Sequence, residues 1–197
     1  MSRQRCLSVT VDTSVWIHFM NGWHHTVPCI RKMLVWHQRQ FIQIFASSRV
    51  FDPDAIRMHI EQQRRLRDLF RDMKIDLTSS PFRWGISGLG GPDVLSGPEW
   101  VERSSDDIVK LRRLLGYDPA SLPRANVGNR LMNKIGDYDA LETHYTQGRD
   151  VFVTSDEHDY FNRSRRAVYA KELGLIIQDP QEFVETRTSR FPDSRST

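Results

Sequence analysis

The carboxyl half of the chain alternates helix and strand patterns: a helical stretch over about 137–146, strand residues 151–154 (VFVT), a second helical stretch over about 162–173, and a strand over 175–177 running into Gln178-Asp179-Pro180. Strict alternation of this kind is the pattern of a parallel sheet covered on both faces, because joining two parallel strands takes a crossover long enough to hold a helix. Gly148 and Gly174 stand just behind the two helices, where a left-handed terminal residue is favoured. At the other end of the chain, Leu7–Val11 alternates apolar and polar residues with period two and reads as a first strand reaching Asp12, with a helix from Ser14 onward. The expected fold is therefore α/β, three layers (α/β/α) around a central, mostly parallel sheet, with an inserted loop and helix region.

Thr26-Val27-Pro28 has the form of an N-cap and first turn for a helix to about Gln38. Residues 41–47 (FIQIFAS) read as a second strand, and Asp52-Pro53 as the cap and first position of the helix behind it. Leu66, Leu69, Phe70 and Met73 recur at i, i+3, i+4 and i+7, an apolar stripe on what reads as the longest helix of the chain, 57–74. Its arginines (57, 64, 65, 67, 71) are interleaved with Glu61, Asp68 and Asp72, which suits a solvated face laced with ion pairs better than an RNA groove. Residues 74–80 read as a short third strand. The segment PFRWGISGLGGPDVLSGPEW is too rich in glycine and proline for regular structure, and a helix follows it, capped by Ser104 or Ser105 and stopped at Gly116. The chain thus reads as one domain, 1–186, with about 80–130 inserted in it, and a disordered tail, 187–197.

A length of 197 residues suits one domain, and 39% hydrophobic with 27% charged residues describes a globular chain. No window approaches the roughly 20 apolar residues that span a bilayer, and MSRQRC leads into a strand without a signal-peptide core. A cytoplasmic location without membrane partners is expected. Cys6 and Cys29 lie far apart and read as reduced structural thiols. A net charge of +3 permits nucleic-acid contact without demanding it.

Ligands of open parallel sheets bind beyond the carboxyl ends of the strands. Asp12 ends the first strand and Asp156 closely follows the strand at 151–154, so carboxylates from opposite ends of the sequence should meet at one sheet edge. Asp137, at the start of the preceding helix, joins them if that helix begins near the same edge. Gathered carboxylates repel one another unless a cation neutralises them, and hard oxygen ligands favour Mg2+ or Mn2+. Such ions activate water and stabilise displacement at a phosphodiester, which makes phosphodiester hydrolysis the first reaction to consider.

VDTSVWIHF near the amino end, with NKIGDYDALETHYTQGRDVFVTSDEHDY and LGLIIQDPQEF near the carboxyl end, resembles the two ends of a PIN domain, the nuclease fold of VapC-type toxins and many RNA-processing factors. The resemblance spans roughly 7–185, its specific motifs lying in the end blocks. It implies a Mg2+- or Mn2+-dependent endoribonuclease that leaves a 3′-hydroxyl and a 5′-phosphate. The family's first acid falls on Asp12, with Thr13 or Ser14 as the hydroxyl behind it; its last falls on Asp156, with Thr154 in support. Its intermediate acid falls on Asp137, favoured by counting back from Gly148, or on Asp139. The remaining acid falls on Asp52, Asp54 or Glu61. Candidate partners are RNA, an antitoxin-like protein and a second copy of the chain.

Singly, each aspartate reads as a strand end, a cap or a turn residue; the joint pattern points to a shared metal site. If the acidic set is incomplete, the alternative is a PIN-like RNA- or protein-binding module with weak or no catalysis. Arg163, Arg165 and Arg166, directly behind the acidic cluster, are candidates for substrate phosphates, and Phe82, Trp84 and Trp100 for base stacking. His24-His25, His144 and His158 do not have zinc-site spacing. A phosphatase with a nucleophilic aspartate is disfavoured, because VDTSV lacks a second aspartate two residues on.

Overall fold

The structure, a computed structural model, describes residues 5–51, 58–78, 106–116, 129–157 and 161–191, without the side chains of 48, 49 and 129–135. Asp52, Asp54, His158, the three central aromatics, Ser104 and Ser105 lie outside the described residues.

Five strands, β1 (Leu7–Val11), β2 (Ile42–Ser47), β3 (Asp76–Thr78), β4 (Val151–Val153) and β5 (Ile177–Gln178), form one sheet in the order β3-β2-β1-β4-β5. Every pairing is parallel. The chain lays β2 and β3 on one side of β1, then returns to lay β4 and β5 on the other. The switch point of the topology therefore falls between β1 and β4, where a crevice opens beyond the strand ends.

Period-two alternation sorts the sheet's side chains between two cores. Val9, Val11, Ile42, Ile44, Val151 and Val153 face one core. It also takes in Val15 and Trp16 of α1 (Thr13–Met20), Ile30, Met33 and Trp36 of α2 (Thr26–Gln38), Leu66 and Phe70 of α3 (Ile60–Met73), and Phe183 of α7 (Pro180–Glu185). Phe152 points to the opposite core, with Leu111 of α4 (Asp106–Leu115), Leu141 of α5 (Asn129–Thr146) and Tyr169 of α6 (Arg163–Leu173). Helices thus cover both faces, the three-layer α/β/α arrangement read from the alternation.

Several elements differ from expectation. Helix α5 has 18 residues and α3 has 14, so the longest described helix is α5, and Asp137 lies in its middle rather than at its start. Gly136 suggests a boundary, but a single glycine costs a helix only about 1 kcal/mol. Helix α2 is capped at His25, without a side-chain bond, and Thr26 falls inside it. Strand β5 is shorter and later than 175–177. Helix α7 follows a signal present in the sequence: Asp179 caps it, Pro180 opens it, and Glu182 reciprocates on the Asp179 amide. The tail does not lose structure at Arg187, because turn residues return Phe191 to the core, 2% exposed, against Trp36 and Phe41. A lone aromatic among polar residues carries no periodicity, yet burying one side chain of that size suffices to pin a turn.

Candidate functional site

Strand β1 delivers Asp12 to the edge of the switch-point crevice. Its amide still belongs to the sheet, donating to Val153 O at 2.9 Å, and its extended backbone (φ −68°, ψ 156°) makes it the N-cap of α1. An N-cap side chain accepts from the next turn's amides; Asp12 does so from Ser14 N at 3.4 Å, and the Ser14 hydroxyl adds a bond of 2.6 Å to the same Oδ2. Strand β4 brings Thr154 alongside, donating to that oxygen at 3.0 Å.

Each of these hydroxyls has one proton and spends it on Asp12. Their lone pairs then accept backbone amides: Ser14 Oγ takes Ser155 N at 3.2 Å, and Thr154 Oγ1 takes Asp156 N at 3.1 Å. The exit turn of β4 is thereby tied to the carboxylate at the end of β1, which fixes Asp156 relative to Asp12. The supporting hydroxyl is Ser14 rather than Thr13, whose backbone amide is what faces the carboxylate. The cap geometry selects it, since Ser14 is the second helical residue.

Asp12 is 3% exposed. Burial pushes its carboxyl above the usual range, against the hydrogen bonds from Ser14, Thr154 and the Thr13 amide, which pull it down. Beside Ser14 opens a cleft of about 560 Å³ lined by Ser14, His18, Ser155, Asp156, Glu157 and Asp179, among others. Asp156 lines that cleft directly, and Asp12 lies behind it, hydrogen-bonded to the lining residue Ser14. His18 lies one turn beyond Ser14 on α1, and its imidazole is held below its ordinary value by burial, against the pull of Asp12 and Asp156. Sequence reasoning missed His18, although the i, i+4 spacing from Ser14 was there to read. The Ser155 hydroxyl is shielded from solvent and makes no hydrogen bond.

Asp137 and Asp139 part company on α5. His144 Nδ1 meets Thr10 Oγ1 at 2.8 Å, which fixes that helix against β1. Asp137, Leu141 and His144 share one helical stripe, so Asp137 lies on the sheet-facing side, two turns and about 10 Å nearer the helix start. Thr10, Asp12, Phe152 and Thr154 alternate to that same face of the sheet, which places Asp137 toward the level of Asp12. Asp139 falls outside that stripe and is fully buried.

Glu61 is not brought to the crevice. It is exposed and 3.6 Å from Arg65, while its neighbour Gln62 donates to Met20 O and Asn21 Oδ1 at the far end of α1. Arg166 braces the protein internally through Phe161 O, Glu182 and Asp156 O; Arg163 is exposed on the first turn of α6. Arg165 is half-buried, its amide donating to the Asn162 cap. Among the described residues no three His, Cys, Asp or Glu side chains converge closely enough to hold a metal ion, and no helix is long and apolar enough to cross a membrane.

The sheet order resembles that of dinucleotide-binding folds, but the β1–α1 turn reads VDTSVW, without the glycines that let a pyrophosphate approach the helix start. Its carboxylate would repel that group. No protein-family model matches the chain, and no curated protein aligns with it significantly.

Proposed function

We propose that this chain is a PIN-like endoribonuclease that depends on Mg2+ or Mn2+, with Asp12, Asp156 and Asp137 as its carboxylates. One observation carries the reading: Asp12 and Asp156 stand at the switch point of a parallel sheet, tied together by Ser14 and Thr154, with a cleft lined by Ser14 and Asp156 beside them.

The donor set fits such an ion. The cleft lining offers the carboxylates of Asp156, Glu157 and Asp179 and the hydroxyl of Ser14, beside the imidazoles of His18 and His25, and Mg2+ commonly takes one or two carboxylates and fills its remaining positions with water and phosphate oxygens. The unbonded Ser155 hydroxyl adds an oxygen at the wall. Bound there, the ion supplies Lewis-acid stabilisation at phosphorus and a water of lowered pKa. The chain's own residues do the positioning: Ser14 and Thr154 keep Asp12 in one orientation and favour its charged form, and Asp156 presents its carboxylate to the cleft. With both hydroxyl protons committed to Asp12, neither Ser14 nor Thr154 is set up as a nucleophile. Water is the attacking group, and no covalent enzyme intermediate forms.

Cleavage of a mixed single-stranded and structured RNA pool, with Mn2+ and with EDTA, tests the reading. Asp156→Asn should lower the metal-dependent rate by at least on the order of 10²-fold; an unchanged rate overturns it. Ser14→Ala and Thr154→Val should each weaken Mn2+ binding by roughly 10- to 100-fold, because groups that orient a ligand matter nearly as much as the ligand; calorimetric titration reads the difference. A second reading, a PIN-like module that binds RNA or a protein without cutting, draws on the lack of a converged third ligand among the described residues. Binding without cleavage by the wild type would select it.

A further inference from the structure

Trp23, in the turn between α1 and α2, is 54% exposed, more than any other Phe, Tyr or Trp among the described residues. Scattered exposed aliphatics are ordinary; a large ring held in water beside a polar cleft is not. Trp23 lines the same cleft as Ser14, His18 and Asp156.

Its presentation is fixed. The Trp23 amide donates to His18 O, and its carbonyl accepts from Thr26 N and Val27 N, each at 3.0 Å. Gly22, at φ +74°, supplies the left-handed step that makes this turn. The indole is stacked on the His18 imidazole, with ring centroids 3.7 Å apart and planes within 10°. One face of the indole is therefore covered, and its exposure belongs mainly to the other face. A rigid aromatic with one open face loses little entropy when a flat group settles on it.

The charge of the cleft narrows the choice of occupant. Asp156, Glu157 and Asp179 disfavour a second phosphate away from a bound cation, whereas a neutral base is indifferent to them. Building on the nuclease reading above, we propose that Trp23, backed by His18, is a stacking platform for one unpaired nucleobase beside the phosphodiester that meets Asp12 and Asp156. A base held in a duplex cannot reach it, so the substrate is single-stranded at that position. Stacking is tolerant of base identity and of the sugar, because every base has a π-face.

The test separates the platform from the chemistry. Binding of a fluorescein-labelled single-stranded RNA of about a dozen nucleotides is measured with full-length protein in the Asp156→Asn background, with Trp23 retained or replaced by Ala or Phe. Trp23→Ala should weaken binding by about 5- to 150-fold, the usual range for one stacked base, and Trp23→Phe should recover most of it. A single abasic site walked along the strand should reproduce that loss at one position and cost the Ala variant nothing further there. Single-stranded DNA should show the same ratio between Trp23 and Ala. Equal binding by the Trp23 and Ala proteins, or an equal loss on a fully paired duplex, overturns the platform. If wild type cleaves RNA and Trp23→Ala leaves KM unchanged, the platform falls and the nuclease stands. If binding depends on Trp23 but wild type never cleaves, the platform stands and the nuclease falls.

Discussion

Asp12→Asn is expected to reduce metal-dependent RNA cleavage by on the order of 10³-fold while raising the melting temperature measured in EDTA. The two effects have one cause. Asp12 is buried at the end of a central strand, and burial raises its pKa above the ordinary value of 3.8 despite two hydroxyls and two amides facing it. The folded protein therefore holds that proton more tightly than the unfolded chain does. Stability contributed by this group falls as pH rises from the ordinary carboxylate range through the raised value, and above it the charge is a fixed penalty. Asparagine keeps an oxygen for Ser14 and Thr154 and removes the charge, a gain of about 1–2 kcal/mol, and each kcal/mol is worth about 2–4 °C in a chain of this size. Mg2+ should reverse the ranking. At a hundredfold excess over its dissociation constant, a ligand stabilises the state it binds by about 2.7 kcal/mol, so wild type should gain about 5–10 °C and the variant nothing. Thermal melts with EDTA and with Mg2+ read both arms; a variant less stable than wild type in EDTA would show that the carboxylate is not a strained buried charge.

The convergence of Asp12 and Asp156 was legible because it depends on two robust signals. The period-two run of Leu7–Val11 and the apolar block Val151–Val153 place both strands in a parallel sheet, and the switch-point rule then assigns their ends to one edge. What lay beyond reading depended on tertiary contact. Whether Thr13 or Ser14 serves Asp12 is settled by the cap conformation, not by residue type. The helix expected over about 137–146 begins at Asn129, and a glycine tolerated within a helix, as Gly136 is, looks the same in sequence as one ending it. Trp23 lies in a turn, where hydrophobic periodicity carries no information, and only its stack on His18 and its place in the cleft give it meaning.

A buried histidine of α5 packs against the face of β1 opposite the larger core, and this His144 should make the fold acid-sensitive well above the carboxylate range. It is 1% exposed, with Nδ1 2.8 Å from Thr10 Oγ1. Arg149 donates to the same Thr10 oxygen at 3.1 Å, which leaves the threonine hydroxyl able to pair with Nδ1 of the neutral imidazole. Burial, reinforced by the Arg149 cation and opposed by Asp150, lowers its pKa from 6.5 to about 3. The unfolded chain takes up a proton that the folded chain refuses, so this contribution is complete above about pH 6.5 and is lost at about 1.4 kcal/mol per unit as pH falls toward the folded value. Lowering the pH from 7.5 to 5 should remove about 2 kcal/mol, and the full range roughly 4–5 kcal/mol, a large share of the 5–15 kcal/mol that holds a typical domain together. Asp12 works in the opposite sense as pH falls through its own raised value. His144→Gln keeps an acceptor for Thr10 and gives up the edge-on contact with Phe152, so it should start about 1–2 kcal/mol less stable at pH 7.5 but lose less on acidification. Urea unfolding between pH 7.5 and 4.5 reads the two slopes, and parallel slopes would mean that His144 titrates normally. Because this contact seats α5 on β1, protonating it loosens the helix that carries Asp137, and metal-dependent activity should fall with the same proton.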